Sequence, residues 1–144
     1  MKNVTVSFSI NTIDEKFRAD MDQAKPIHAR IEAMKKLHEA GIKTVTFMSP
    51  IFPYITDFKA IVEATKDYAD TFWFENLNLR GSYKKVILDY VHEKYPQYEE
   101  EYKEIYMRKD RHYWEALSRG IDNYCKQVGV HYINYFYHEE IRKP

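Results

Sequence analysis

The chain predicts an α/β domain in which strands and helices alternate as β-α-β-α-β, followed by further helices and a last strand. Three observations carry that fold class. Short runs with a period of two, at Val4–Ile10, Lys43–Met48 and Thr71–Glu75, read as strands. Helical stripes separate them. Each connection is long enough for a right-handed crossover, which makes neighbouring strands parallel and adjacent.

The elements follow in order. Val4, Val6, Phe8 and Ile10 alternate with Thr5, Ser7, Ser9 and Asn11, giving the first strand. Asp14 to Lys25 reads as a loop. Pro26 stands where a first helical residue belongs. Ile27, Ile31, Met34 and Leu37 form a helical stripe, and Gly41 is its C-terminal stop. The second strand, Lys43 to Met48, ends at Ser49-Pro50 and Pro53. Thr56-Asp57 can cap a helix carrying Phe58, Ile61, Val62 and Thr65 on one side. Thr71 to Glu75 is the third strand. Ser82–Lys94 reads as a helix closed by Pro96, Gln97–Met107 as another, and Arg111–Val128 as the longest, ended by Gly129. Val130–Phe136 is the last strand, before a polar tail from His138 to Pro144.

Length and composition narrow the classes. The 144 residues suit one domain with a real core. Lys+Arg and Asp+Glu are both 22, so the formal net charge is zero. That removes the general electrostatic drive for non-specific nucleic-acid binding, leaving only a local basic patch. Aromatic residues make up 16%, with 13 tyrosines, a side chain suited to half-wet cavities and interfaces. One cysteine, Cys125, permits no internal disulfide and no Cys-rich metal site, and fits a reducing cytoplasm. The start Met1-Lys2-Asn3-Val4-Thr5 lacks the apolar core of a signal peptide. No apolar run reaches the roughly 18 residues a membrane span needs. There is no solenoid period and no domain boundary.

The alternation assigns faces. Val6/Phe8, Val45/Phe47 and Phe72/Phe74 are expected under the helices. Thr5/Ser7/Ser9, Thr44/Thr46/Met48 and Thr71/Trp73/Glu75 are expected opposite, where small hydroxyls suit a barrel lumen or ligand groove. The strand ends are polar: Ser9-Ile10-Asn11-Thr12, Met48-Ser49-Pro50 and Glu75-Asn76-Leu77-Asn78-Leu79-Arg80. Open α/β sheets and barrels place ligand groups at such ends. Glu75 reads as a hydrogen-bond acceptor or general base, or as a loop-holding partner of Arg80 or Arg30. Asn76 and Asn78 read as ligand contacts or turn residues.

Other features read as structural. Tyr95, Tyr98, Tyr102, Tyr106 and Tyr113 are spaced 3, 4, 4 and 7 apart, a helical packing stripe. Cys125 is isolated on a predicted helix and reads as a small buried hydrophobe. Histidines 28, 38, 92, 112, 131 and 138 show no HxxxH or HxH spacing, so no metal site is expected. No GxSxG, P-loop or GxGxxG is present.

Several segments together resemble a known family. Ser7-Phe8-Ser9-Ile10-Asn11-Thr12-Ile13-Asp14 and Ala29–Ile42 resemble the fourth-strand unit of radical S-adenosylmethionine proteins related to spore photoproduct lyase. Met48-Ser49-Pro50-Ile51-Phe52-Pro53-Tyr54-Ile55-Thr56-Asp57 resembles the fifth strand and its loop, and Phe74-Glu75-Asn76-Leu77-Asn78 the sixth. The likeness extends into Tyr113-Trp114 and Tyr135-Phe136-Tyr137-His138.

The resemblance implies half of a partial (β/α)6 TIM-like barrel over residues 1–80, followed by C-terminal helices and a strand over 81–144. It implies S-adenosylmethionine and a 4Fe–4S cluster as cofactors of the parent, with lyase or DNA-repair chemistry and nucleic acid as a candidate substrate. Ser7, Ser9 and Thr12 match positions near the ribose and amino-acid end of S-adenosylmethionine, Met48 and Ser49 the adenine side, and Glu75, Asn76 and Asn78 adenine or substrate. The family's CxxxCxxC loop, whose thiolates hold the cluster, has no counterpart here. The Gly-rich fifth-strand element is replaced by Ser49-Pro50-Ile51-Phe52-Pro53. The expectation is therefore a C-terminal fragment, inactive alone, truncated near a strand boundary and missing its N-terminal half-barrel. Its first strand, unpaired on one side, is expected to drive self-association. The alternatives are a stand-alone ligand-binding or regulatory half-barrel, and an unrelated small α/β enzyme using Glu75 as general base.

Overall fold

The computed structural model describes residues 4–22, 25–79 and 81–136. Four parallel strands form one sheet in sequential order: β1 (Thr5–Ser9), β2 (Lys43–Ile51), β3 (Thr71–Asn76) and β4 (Tyr132–Asn134). Helices α1 (Glu15–Met21) and α2 (Ile27–Glu39) join β1 to β2, and α3 (Phe58–Thr65) joins β2 to β3. Helix α4 (Gly81–Lys94), a short 3-10 turn (Pro96–Tyr98), α5 (Glu99–Tyr106) and α6 (His112–Val128) join β3 to β4. The expected alternation and parallel pairing are both present.

Local chemistry explains the boundaries. Asp57 caps α3 by accepting from the Ala60 amide at 3.2 Å, and Phe58, Ile61, Val62 and Thr65 are all buried as the stripe requires. Gly41 adopts φ 79° after α2, and Gly129 adopts φ 75° after α6. There the amides of Gly129 and Val130 both return to the Cys125 carbonyl.

Five expectations need correction. Part of the Asp14–Lys25 loop is helix α1. Asp14 caps it through the amides of Lys16 and Phe17, and Phe17, 1% exposed, sets its ring edge-on against Phe52 at 5.0 Å. One cap and one anchoring ring suffice for two turns, too short a segment to show a period. Strand β2 runs past Met48 to Ile51, through a register irregularity and a cis Ser49–Pro50 bond. Strand β4 holds only Tyr132–Asn134 of the expected Val130–Phe136, because pairing with Phe72–Phe74 sets its length. The segment Gln97–Met107 is divided between the 3-10 turn and α5.

The fifth correction concerns the faces of β2. Registered partners of parallel strands share a face. Val6, Thr44 and Phe8, Thr46, Phe72, Tyr132 therefore lie on one side with Met48, Phe74 and Asn134. That is the helix side. Thr44, Thr46, Met48, Phe72 and Phe74 are each 0% exposed. Thr46 touches the Met34 sulfur of α2, Phe58 of α3 packs edge-on against Phe74, and Asn134 donates to the Ser118 hydroxyl of α6. The threonine hydroxyls are satisfied inside the core: Thr44 donates to the Tyr68 carbonyl at 2.8 Å, and Thr46 to Thr65 at 3.0 Å. Hydroxyls with internal partners are no guide to the open face. Val45 and Phe47 thus stand on the open side, with Ser7, Ser9, Trp73 and Glu75.

Candidate functional site

The open face of the sheet carries a row of three half-buried rings. Phe47 lies 5.7 Å from Trp73, and Trp73 lies 5.0 Å from Tyr135. Parallel pairing puts Phe47 and Trp73 side by side, and the Tyr135 amide donates to the Phe74 carbonyl at 2.8 Å, bringing the third ring alongside. At the C-terminal end of the row, one carboxylate oxygen of Glu75 accepts from both the Ser49 hydroxyl and the Trp73 indole, each at 3.2 Å. The carboxylate thereby locks the indole orientation and ties the end of β2 to β3. Ser7 and Ser9 are exposed on β1 of the same face.

The sheet therefore brings Ser7, Ser9, Ser49 and Glu75 to one surface. The other predicted positions lie elsewhere. Met48 is 0% exposed beneath the helices. Thr12 is 3% exposed, and its hydroxyl accepts the Asp14 amide at 3.0 Å, which serves the entry to α1. Asn76 is buried at the end of β3, and Asn78 is exposed beyond it. Arg30 does not hold the Glu75 loop in the expected manner; its guanidinium binds Asp22 at 2.8 Å and the carbonyls of Ser9 and Lys25. Arg80, Tyr137 and His138 lie outside the described residues.

Sequence reading missed Phe47 and Tyr135 as parts of this surface. The register of β2 against β3 is the signal for Phe47; none marks Tyr135, which follows a three-residue strand. The tyrosine stripe also does more than pack. Tyr102, 0% exposed, donates to the Pro53 carbonyl at 2.8 Å, and Tyr106 donates to the Leu77 carbonyl at 2.8 Å. Helix α5 thus pins the loops that follow β2 and β3, and burial pushes both phenols up so that they stay protonated donors. Tyr54 donates its amide to the Tyr113 hydroxyl at 2.9 Å.

Cys125 is 0% exposed, and burial first, then the nearby Asp122 charge, pushes its thiol up to about 11. Such a thiol is a weak nucleophile and a poor metal ligand. Among the described residues, no group of three His, Cys, Asp or Glu side chains could hold a metal ion. Among them, too, no helix is long and apolar enough to cross a membrane.

No family model matches the chain, and no solved structure matches it. An uncharacterized protein of Methanocaldococcus jannaschii is 33% identical to it over 96 residues. The match covers 66% of this chain and 36% of that relative, so the chain spans little more than a third of the relative's length.

Proposed function

We propose that this chain is the C-terminal part of a radical S-adenosylmethionine protein of the spore-photoproduct-lyase-like type, contributing one wall of a partial (β/α)6 barrel. The observation that carries the reading is the sequential parallel order β1-β2-β3-β4 with α2, α3 and α6 all on one face. A doubly wound sheet reverses its strand order and covers both faces with helices. A barrel winds in one direction and keeps its inner face free of them. The short span relative to the archaeal match is consistent with a longer parent.

Such a parent uses a 4Fe–4S cluster. The residues of this chain do not fit one, since three thiolates are required and Cys125 is the single cysteine and fully buried. The cluster loop would belong to the N-terminal half-barrel, beside β1. The open face does fit part of S-adenosylmethionine. A ring in the row of Phe47, Trp73 and Tyr135, whose neighbours are tilted by 33° and 44°, can take an adenine by stacking, and the hydroxyls of Ser7, Ser9 and Ser49 supply donors and acceptors alongside. Glu75 orients Trp73 in that wall. Nucleic acid is the parent's candidate substrate, and the reducing cytoplasm its setting.

The test has two arms. Purified chain treated with iron and sulfide should form no stable cluster and cleave no S-adenosylmethionine; a stable iron–sulfur absorbance with cleavage would overturn the fragment reading. Calorimetry with S-adenosylmethionine examines the wall. Binding that is lost in Trp73→Ala supports the stand-alone ligand-binding alternative, which the intact ring row favours. No binding at millimolar ligand leaves the bare fragment.

A further inference from the structure

Six oxidisable rings form a continuous file through the molecule. Trp114 and Tyr113, at the start of α6, have ring centroids 5.3 Å apart, and Tyr113 lies 4.5 Å from Tyr54 in the loop after β2. Tyr54 stacks on Tyr98 at 5.5 Å, Tyr98 stacks on Tyr95 at 6.1 Å, and Tyr95 meets Tyr90 of α4 at 6.0 Å. At one end Trp114, 4% exposed, stands edge-on to Phe136 at 5.6 Å, the residue after Tyr135 of the open face. At the other end the Tyr90 phenol donates to the Asp20 carboxylate at 2.7 Å. We propose that the file is a one-electron relay, in which a hole on Trp114 passes along the tyrosines and is trapped on Tyr90 as a neutral radical by proton release to Asp20.

Every step in the file is a ring pair at contact spacing, so a hole never has to cross an aliphatic gap. Packing alone explains neighbouring rings in a chain with 13 tyrosines, but it does not explain the chemistry at the end. A phenol that gives up an electron becomes a strong acid, and the radical persists only where a base takes the proton. Tyr102 and Tyr106 donate to the carbonyls of Pro53 and Leu77, which are not such bases. Tyr124 and Tyr132 do donate to carboxylates, Glu63 and Asp122, but they pack against Phe58 and Phe74, which cannot carry a hole. Tyr90 combines a carboxylate acceptor with oxidisable neighbours. Burial first, then the hydrogen bond to Asp20, pushes its phenol up, so the resting ring keeps its proton until the electron leaves.

Electrons and protons balance. Tyr90 loses one electron along the file and one proton to Asp20, and Trp114 recovers its electron. An external one-electron reductant of the ascorbate type then returns the electron to Tyr90, and Asp20 returns the proton. Tyr54, 43% exposed, and the half-buried Tyr90 put the file within reach of such a reductant. The relay thereby moves an oxidising equivalent from behind the open face to the exposed surface of α1.

Trp73→Phe, on the open face, leaves Trp114 as the one tryptophan of the 144-residue chain. Laser photoionisation of that variant, with light that tryptophan alone absorbs and a cobalt(III) ammine to take up the ejected electron, puts the hole on Trp114. The tryptophanyl absorbance should decay as a tyrosyl absorbance grows, at a rate independent of protein concentration. Electron paramagnetic resonance should show a long-lived radical that is lost when Tyr90→Phe is added. Adding Tyr95→Phe and Tyr98→Phe together keeps both rings but interrupts the relay, and should lose the same signal with Tyr90 intact. Asp20→Asn, an exposed change on α1, should shorten the life of the radical. Tryptophanyl decay without tyrosyl growth, growth that scales with protein concentration, a Tyr90 signal that survives the paired substitution, or an unchanged lifetime in Asp20→Asn would overturn the relay. None of these readouts involves S-adenosylmethionine or an iron–sulfur cluster, so failure here is distinct from failure of the proposed function.

Discussion

The hydroxyls of Thr46 in β2 and Thr65 in α3 lie 3.0 Å apart, with both residues 0% exposed. The Thr65 hydroxyl in turn donates to the Ile61 carbonyl at 2.8 Å. A chain of two hydrogen bonds therefore joins sheet and helix in the core, at a strand position whose residue type alone suits a wet face.

The first prediction follows from that pair. Thr46→Asp buries a carboxylate among Met34, Thr65 and the sheet, and should cost about 3 kcal/mol or more in urea unfolding. Phe47→Ser, one residue along on the open face, should cost less, about 1–2 kcal/mol, through lost contact with Trp73. Equal costs at the two positions would contradict the assigned faces.

Helix α5 makes a second test. Tyr102→Phe removes one of two donors to the Pro53 carbonyl, which keeps the Ile55 amide at 2.7 Å and puts that cost at the low end, and Tyr106→Phe takes the phenol donor from the Leu77 carbonyl. Each should destabilise by about 1–3 kcal/mol while keeping the helical content by circular dichroism. Hydrogen exchange should accelerate first in the loops after β2 and β3, since those are what the phenols hold.

Cys125 gives a pH prediction. Its thiol is raised in the folded state from 9.0 to about 11 by burial and by Asp122. The folded state therefore holds that proton more tightly than the unfolded state. Its contribution is complete below pH 9.0 and is lost as pH rises towards about 11. Cys125→Ala should flatten the alkaline fall in stability where it begins near pH 9.0. A thiol reagent at pH 8 should label the native protein only as fast as it unfolds.

Among the described residues β1 is an outer strand of the sheet, and its edge supports a fourth. Ile10 donates its amide to the Phe47 carbonyl at 3.2 Å, so alternate residues turn their backbone groups outward, and the Ser9 carbonyl accepts from Arg30 at 2.7 Å. Ser7 is then an exposed pairing point on the edge. Concentration-dependent self-association should appear in light scattering and fall in Ser7→Pro, which removes an outward amide while leaving the bonds to β2. A monomer at high concentration would remove the edge as an interface.

By itself the sequence determined the β-α-β-α-β order apart from the short α1, the parallel pairing of the first three strands and the helix stops after α2 and α6, because these depend on local signals: period, caps such as Asp57, and glycines at left-handed positions such as Gly41 and Gly129. It also brought Ser9, Ser49 and Glu75 forward as strand-end groups. Tertiary structure decided which side of β2 is wet. Thr44 and Thr46 have the composition of a lumen face, yet the carbonyl of Tyr68 and the hydroxyl of Thr65 satisfy them inside the core. That exchange of partners is invisible in one strand, and it moves Met48 under the helices while bringing Phe47 beside Trp73. Tyr135 joins them because the Phe74 carbonyl takes its amide, a contact 61 residues apart in the chain that no local pattern encodes.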